Sequence, residues 1–190
     1  MDNVTRRTFV ETALKGSVLS LTFTVAGGTL LLTPEQARAK EVPLRTLSAS
    51  QAQTLELLAE AIVPGSAQLG LTHFLDHQLG ADPNDALLIA KFFQVAPPYL
   101  DFYAAGTKVA AGMAQKSSAK TIEKMSKAEL HALVKEMSTP GAVVNSFPIF
   151  LFYMCLRSDA VDVVYGTPEG FKKLSIPYMQ HIMPPEGWDG

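Results

Sequence analysis

Two histidines lie four residues apart in the first half of the chain, His73 and His77, and Asp76 lies between them. If this stretch is helical, the spacing places both imidazoles on one face, from which they could bind one divalent metal ion. Two ligands do not complete a zinc site, however, and the chain contains no His-Glu-x-x-His motif. We therefore favour a surface helix that carries two histidines, and we predict no metal-binding residues.

No pattern of catalytic residues stands out elsewhere in the chain. The sequence has no Gly-x-Ser-x-Gly, no phosphate-binding P-loop and no Gly-x-Gly-x-x-Gly, which are the short motifs of esterase-type, nucleotide-binding and dinucleotide-binding sites. His131 lies in an amphipathic stretch beside Glu129 and is expected to face solvent. We predict neither catalytic nor cofactor-binding residues, so a non-catalytic helical protein that binds a partner is the favoured interpretation.

The first 39 residues have the three parts of an export leader. Arg6 and Arg7 are followed by Phe9, a pattern similar to the twin-arginine signal of proteins that cross a membrane already folded. Residues 13 to 32 are mostly apolar, and Ala37 and Ala39 then form an Ala-x-Ala cleavage site. We expect cleavage after Ala39 and a periplasmic mature protein. An uncleaved membrane anchor is the alternative, because about twenty residues can span a bilayer as a helix.

Cys155 is the only cysteine of the chain. A disulfide within the chain is therefore excluded, as is a c-type haem or an iron–sulfur cluster held by the chain's own thiolates. A single cysteine in an exported protein either bridges to another chain or is buried as a small apolar side chain. Its neighbours favour burial; they are Phe152, Tyr153, Met154 and Leu156. An intersubunit disulfide through Cys155 is the alternative.

Helical periodicity and cap residues predict an all-α domain over residues 40–166, between the leader (1–39) and a tail (167–190). Ser48 with Gln51 or Ser50 with Gln53, and Ser126 with Glu129, have the spacing of a capping box at a helix start. The segment at 142–164 is the most apolar and is expected to be the central helix. The predicted helices run from Ser48 or Ser50 to Pro64, over 73–79 after a Thr72 cap, over 86–95 after Asp82 and Pro83, over 99–115, from Ser126 to Thr139, and over 142–164.

The tail combines several prolines with regularly spaced aromatic and apolar residues. Free tails are poor in such residues, so we predict an irregular segment that packs on a partner. Hydrophobic residues make up 47% of the chain and charged residues 18%, which is below the usual quarter for a soluble domain and also indicates a surface covered by another chain. No basic patch predicts nucleic-acid binding. The predicted contacts with the partner are Tyr165, Phe171, Tyr178, His181 and Trp188.

Four features together resemble the gluconate 2-dehydrogenase subunit 3 family, the small subunits of bacterial flavoprotein dehydrogenases. The features are the paired arginines at 5–10, the segment LLAEAIVPG at 57–65, the helix end DVVYG at 162–166, and the tail at 178–188. After the Tyr-Gly pair the chain departs from the family pattern and continues Thr167-Pro168-Glu169. The resemblance covers most of the chain, although each motif is short.

The resemblance implies a heteromeric complex whose chemistry lies on another chain. The catalytic subunit would be a flavoprotein of the glucose-methanol-choline type that binds FAD and oxidises a sugar, a sugar acid or a glycoside. A third subunit could carry haem c, and the complex rather than this chain would associate with the membrane. The small subunit would escort the catalytic subunit through twin-arginine export and stabilise it. The alternative function is a stand-alone exported or membrane-tethered helical binding protein.

Overall fold

The computed structural model describes residues 20–25 and 28–175. These residues form two strands and seven helices: β1 (Leu21–Val25), β2 (Gly28–Leu32), α1 (Pro34–Ala39), α2 (Ala49–Ile62), α3 (Leu71–Leu79), α4 (Tyr99–Ser118), α5 (Lys127–Met137), α6 (Ile149–Tyr165) and α7 (Pro168–Lys173). Single 3-10 turns lie at Ile89–Lys91 and Ile122–Lys124. The predicted helical fold is confirmed. Within the described ranges, no helix is both long enough and apolar enough to cross a membrane.

The two predicted capping boxes begin α2 and α5. The Ser48 hydroxyl accepts a hydrogen bond from the Gln51 backbone, and the Gln51 side chain accepts one from the Ser48 backbone at 2.9 Å. Ser126 and Glu129 exchange the same pair of bonds. Each box satisfies two backbone N–H groups that have no partner within the helix, which explains why these helix starts can be read from sequence.

Helix α6 lies at the centre of the fold and packs against α2, α3, α4, α5 and α7. Its side chains Ile149, Phe152, Leu156 and Ala160 are fully buried. The approach of α4 requires Gly106, because a Cβ at that position would lie 2.3 Å from Cδ2 of Phe152. Glycine has a low helix propensity, but at this position its missing side chain is what lets α4 and α6 meet.

Two helix predictions were wrong in their extent. Residues 86–95 form only the 3-10 turn at Ile89–Lys91, because side chains rather than helical carbonyls accept from the N–H groups of Leu87 and Ile89. The central helix begins at Ile149 rather than near residue 142, since Pro148 supplies no N–H and serves as its N-cap. Gly70, and not Thr72, caps α3.

The segment around the predicted cleavage site is folded on both of its sides. Strands β1 and β2 pair antiparallel, and α1 packs against α3. Ala37 is fully buried in α1, and Ala39 is its last residue. Cleavage there stays a prediction. The predicted export residues Arg6, Arg7 and Phe9 lie outside the described residues.

Candidate functional site: an apolar loop held by the core

Residues 82–98, hereafter the 82–98 loop, connect α3 to α4 and present large apolar side chains to solvent. Phe92 is 74% exposed, Leu87 is 56% exposed and Phe93 is 40% exposed. Between them Leu88 and Ala90 are fully buried. Every side chain from Lys91 to Gln94 is exposed, so the two phenylalanines stand at the surface with polar neighbours on either side.

The base of this loop is fixed to the core by hydrogen bonds to buried side chains. The Leu87 N–H donates to Oε1 of Gln78 at 2.8 Å, and the Gln78 side chain is almost completely buried. The Ile89 N–H donates to Oδ1 of Asp159 at 3.2 Å. Asp82 starts the loop by accepting from the Asn84 N–H at 2.8 Å. The exposed phenylalanines are thus carried on a backbone that the core holds in place.

Asp159 is the deepest of these anchors. It lies on α6, is fully buried, and also accepts a hydrogen bond from the hydroxyl of Tyr103 on α4. Burial raises the pKa of Asp159 to about 7, although the bonds from Tyr103 and Ile89 oppose that rise. Burial, together with the neighbouring carboxyl group, raises the pKa of Tyr103 well above its usual value. This pair has no access to solvent and connects α4, α6 and the 82–98 loop.

The two histidines of the sequence-predicted pair bind different backbone carbonyls and not a common ion. Nε2 of His73 donates to the Val42 carbonyl at 3.0 Å, and Nε2 of His77 donates to the Thr22 carbonyl at 3.1 Å. Burial lowers the pKa of both imidazoles. Among the residues that the structure describes, no three histidine, cysteine, aspartate or glutamate side chains are grouped so that they could hold a metal.

Asp76, between the histidines, is almost completely buried and accepts three backbone N–H groups. The donors are Arg45 at 2.9 Å, Thr46 at 2.8 Å and Leu47 at 2.8 Å. The His73–Asp76–His77 constellation therefore holds the N-terminal part of the chain on α3. The sequence predicted a helix here, but the expected surface helix is wrong, because α3 begins at Leu71 and most of its residues are buried. The sequence also does not reveal that distant backbone groups use all three side chains.

Cys155 is fully buried on α6, as its neighbours predicted. Burial and the nearby Asp159 raise the pKa of its thiol to about 12. Of the five predicted partner contacts, Tyr165 packs against the core at the end of α6, and Phe171 lies half-buried on α7, which folds back on α6. Tyr178, His181 and Trp188 lie outside the described residues.

The exposed apolar residues of the 82–98 loop were not predicted, although the sequence contains a signal for them. Phe92 and Phe93 are adjacent, lie between the polar residues Lys91 and Gln94, and are followed by the Pro97-Pro98 step, at which a helix must end or kink. A pair of large apolar residues between a lysine and a Pro-Pro step could have been read as an exposed patch. Because residues 86–95 were predicted to form a helix, this pair was not interpreted as an exposed patch.

Exposed apolar patches often mark sites where proteins bind one another. Comparison with known families gives the class of protein. The family model described as gluconate 2-dehydrogenase subunit 3 matches residues 49–184, and the chain belongs to this family. It is thereby an accessory, small subunit of a dehydrogenase complex. No curated protein and no solved structure matches the chain.

Proposed function

We propose that this chain is the non-catalytic small subunit of a periplasmic, flavin-dependent dehydrogenase, and that it binds the catalytic subunit through the 82–98 loop. The observation that carries the proposal is the contrast within this loop: Phe92 and Leu87 are exposed, while hydrogen bonds to Gln78 and Asp159 fix the backbone that carries them. Aromatic side chains on a fixed backbone lose little conformational entropy on binding, and they are frequent hot spots of protein interfaces.

The partner in this proposal is a flavoprotein of the glucose-methanol-choline type that binds FAD and oxidises a sugar, a sugar acid or a glycoside. Membership in the subunit 3 family supports a dehydrogenase partner. A cytochrome c subunit would receive the electrons in some such complexes. The predicted partner contacts Tyr165, Phe171, Tyr178, His181 and Trp188 form a second part of the proposed interface, in addition to the 82–98 loop.

The proposed role includes export. The paired Arg6 and Arg7 would direct a folded, FAD-loaded catalytic subunit through the twin-arginine route together with this chain. The small subunit would then stabilise the catalytic subunit in the periplasm. Stabilisation of this kind follows from binding, because a partner that binds only the folded state lowers the population of the unfolded state.

Co-expression with the neighbouring reading frames, followed by purification on a C-terminal tag, tests the function. A yellow complex with flavin absorption in the periplasm is the expected result. Changing Arg6 and Arg7 to lysine should leave that complex in the cytoplasm. A colourless chain that purifies alone would contradict the subunit assignment, and a flavin complex whose location does not depend on the arginines would contradict the export role.

A further inference from the structure

We propose that Ser20, the paired strands β1 and β2, and α1 are a permanent part of the folded protein, so that any cut in the leader falls before Ser20 and not after Ala39. The first support is the burial pattern of the hairpin. Leu21 and Phe23 in β1 are each only 7% exposed, whereas Thr22 and Thr24 between them are exposed. This alternation is that of a strand with one face on a core, and Leu32, opposite Leu21, is buried as well.

Helix α3 contacts this hairpin through the side chain of His77. Nε2 of His77 donates to the Thr22 carbonyl at 3.1 Å, and the His77 ring lies edge-on to the ring of Phe23 with 5.4 Å between the centroids. Nδ1 of His77 is buried and has no hydrogen-bond partner among the residues that the structure describes. A chain that began at Lys40 would lose both partners and leave His77 with neither its acceptor nor its apolar neighbour.

The predicted cleavage site is exposed at the surface, but its backbone is hydrogen-bonded. Thr33 and Gln36 form a capping box at the start of α1, with bonds of 3.0 and 3.1 Å. Beyond the helix, the Lys40 N–H donates to the Gln36 carbonyl and the Val42 N–H donates to the Ala37 carbonyl, each at 3.0 Å. Backbone hydrogen bonds thus span the Ala39–Lys40 peptide bond, and a peptidase can bind it as an extended substrate only after local unfolding.

Within the residues that match the family model, Gly70 leaves space for the start of α1. Gly70, the residue before α3, has φ +82, and a Cβ there would lie 2.2 Å from the backbone oxygen of Pro34. Gly65 has a similar φ of +93, but a Cβ there would meet nothing within 4 Å. Only at Gly70 does the missing side chain leave room for residues of the predicted leader.

Protection at Ala39 follows in addition from the export route, and this step rests on the proposed function. A twin-arginine passenger is folded before it crosses the membrane. The hairpin and α1 would then already be packed on α3 when the chain reaches a peptidase.

The intact mass and the N-terminal sequence of the chain, purified within its complex from the periplasm, test the proposal directly. The expected chain begins at Ser20 or earlier. A chain that begins at any residue from Leu21 to Lys40 would overturn the proposal. A chain confined to the cytoplasm would refute the export route, and the following comparison then decides the proposal alone.

Trypsin cleaves after arginine and lysine, and Arg38 and Lys40 flank Ala39. Gly70→Ala should displace α1 and speed the appearance of chains that begin at Ala39 or Glu41 by at least roughly tenfold, because cleavage follows the population of the opened segment. Gly65→Ala is the matched control, since it carries the same backbone strain without the clash. Equal cleavage rates in the two variants would overturn the proposal.

A second pair of variants covers the case in which Gly70→Ala does not fold. His77→Ala removes the bond to the Thr22 carbonyl, and His131→Ala alters an exposed histidine on α5. The first should speed trypsin cleavage after Arg38 and Lys40 severalfold, and the second should not. If His77→Ala is cut there no faster than His131→Ala, the hairpin does not hold α1 in place and the proposal fails.

Discussion

The hydroxyl of Tyr103 on α4 donates a hydrogen bond to Oδ2 of Asp159 on α6, and both side chains are fully buried. The second carboxyl oxygen of Asp159 accepts from the Ile89 N–H in the 82–98 loop. One carboxyl group therefore joins two core helices to the loop that carries the exposed phenylalanines. A polar contact of this kind in a low-dielectric core is costly to break, because each remaining group loses its partner without gaining water.

The first prediction concerns the pH dependence of stability at Asp159. Because its pKa in the folded state is raised from 3.8 to about 7, the folded state holds this proton more tightly than the unfolded state. The stabilisation that this tighter proton binding gives to the folded protein is fully present below pH 3.8 and is lost as the pH rises through about 7. Between these values the free energy of unfolding should fall by up to about 1.4 kcal/mol per pH unit from this group.

Urea unfolding of the wild type and Asp159→Asn between pH 5 and 8 measures this effect. His73 and His77 act in the opposite direction, since their lowered pKa makes stability fall as the pH drops below 6.5. The difference between the two proteins at each pH isolates Asp159. The free energy of unfolding of Asp159→Asn minus that of the wild type should increase as the pH rises. A difference independent of pH would contradict the raised pKa.

The second prediction compares two glycines of α4. Gly106→Ala should destabilise the protein by about 1–3 kcal/mol, because the new Cβ would lie 2.3 Å from the fully buried ring of Phe152. Gly112→Ala should stabilise it by about 0.5–1 kcal/mol, since nothing lies within 4 Å and alanine favours a helix. Thermal or urea unfolding of both variants checks the opposite signs, and a common sign would contradict the described packing of α4 on α6.

The helices that sequence patterns predicted well are those with a local cause. Ser48 and Gln51, like Ser126 and Glu129, are three residues apart and complete their hydrogen bonds with each other. Such a signal is independent of the rest of the chain. The prediction for 86–95 failed because the Ile89 N–H bonds to a carboxyl group 70 residues away, and no local pattern encodes that contact.

The hairpin was missed for a different reason. Leu21-Thr22-Phe23-Thr24 alternates apolar and polar residues, and Gly27-Gly28 follows, which is typical of a strand and a tight turn. The same residues are also apolar enough on average for the central region of an export leader. Composition alone does not distinguish a β-hairpin from such a region. For the histidine pair, the helical spacing was predicted correctly. The carbonyls of Val42 and Thr22, which accept hydrogen bonds from His73 and His77, are distant in sequence and could not be predicted from that spacing.

The third prediction concerns the thiol of Cys155. Its burial and its pKa of about 12 should prevent reaction with a thiol reagent in the native protein, because only the exposed thiolate is reactive. Labelling should proceed at the rate at which the protein unfolds, and should be immediate in denaturant. The purified complex should separate into its chains on a non-reducing gel. A cross-linked band that disappears with reductant and is absent in Cys155→Ser would establish the intersubunit disulfide instead.

The last prediction concerns the apolar side chains of the 82–98 loop. Phe92 is 74% exposed, so Phe92→Ser should change the free energy of unfolding by no more than about 0.5 kcal/mol. If Phe92 binds the catalytic subunit, the same change should weaken the complex by about 2 kcal/mol, which is a roughly 30-fold increase in Kd. Titration of the tagged small subunit with the flavoprotein measures this Kd.

Val143→Ser is the matched control for Phe92→Ser. Val143 is 61% exposed and precedes α6, so this change removes a comparable exposed apolar side chain outside the loop. The control should retain the wild-type Kd and stability. Because the loop backbone is fixed by Gln78 and Asp159, loss of binding in Phe92→Ser with unchanged stability would reflect the missing contact itself. Equal Kd values for both variants would place the interface elsewhere on the subunit.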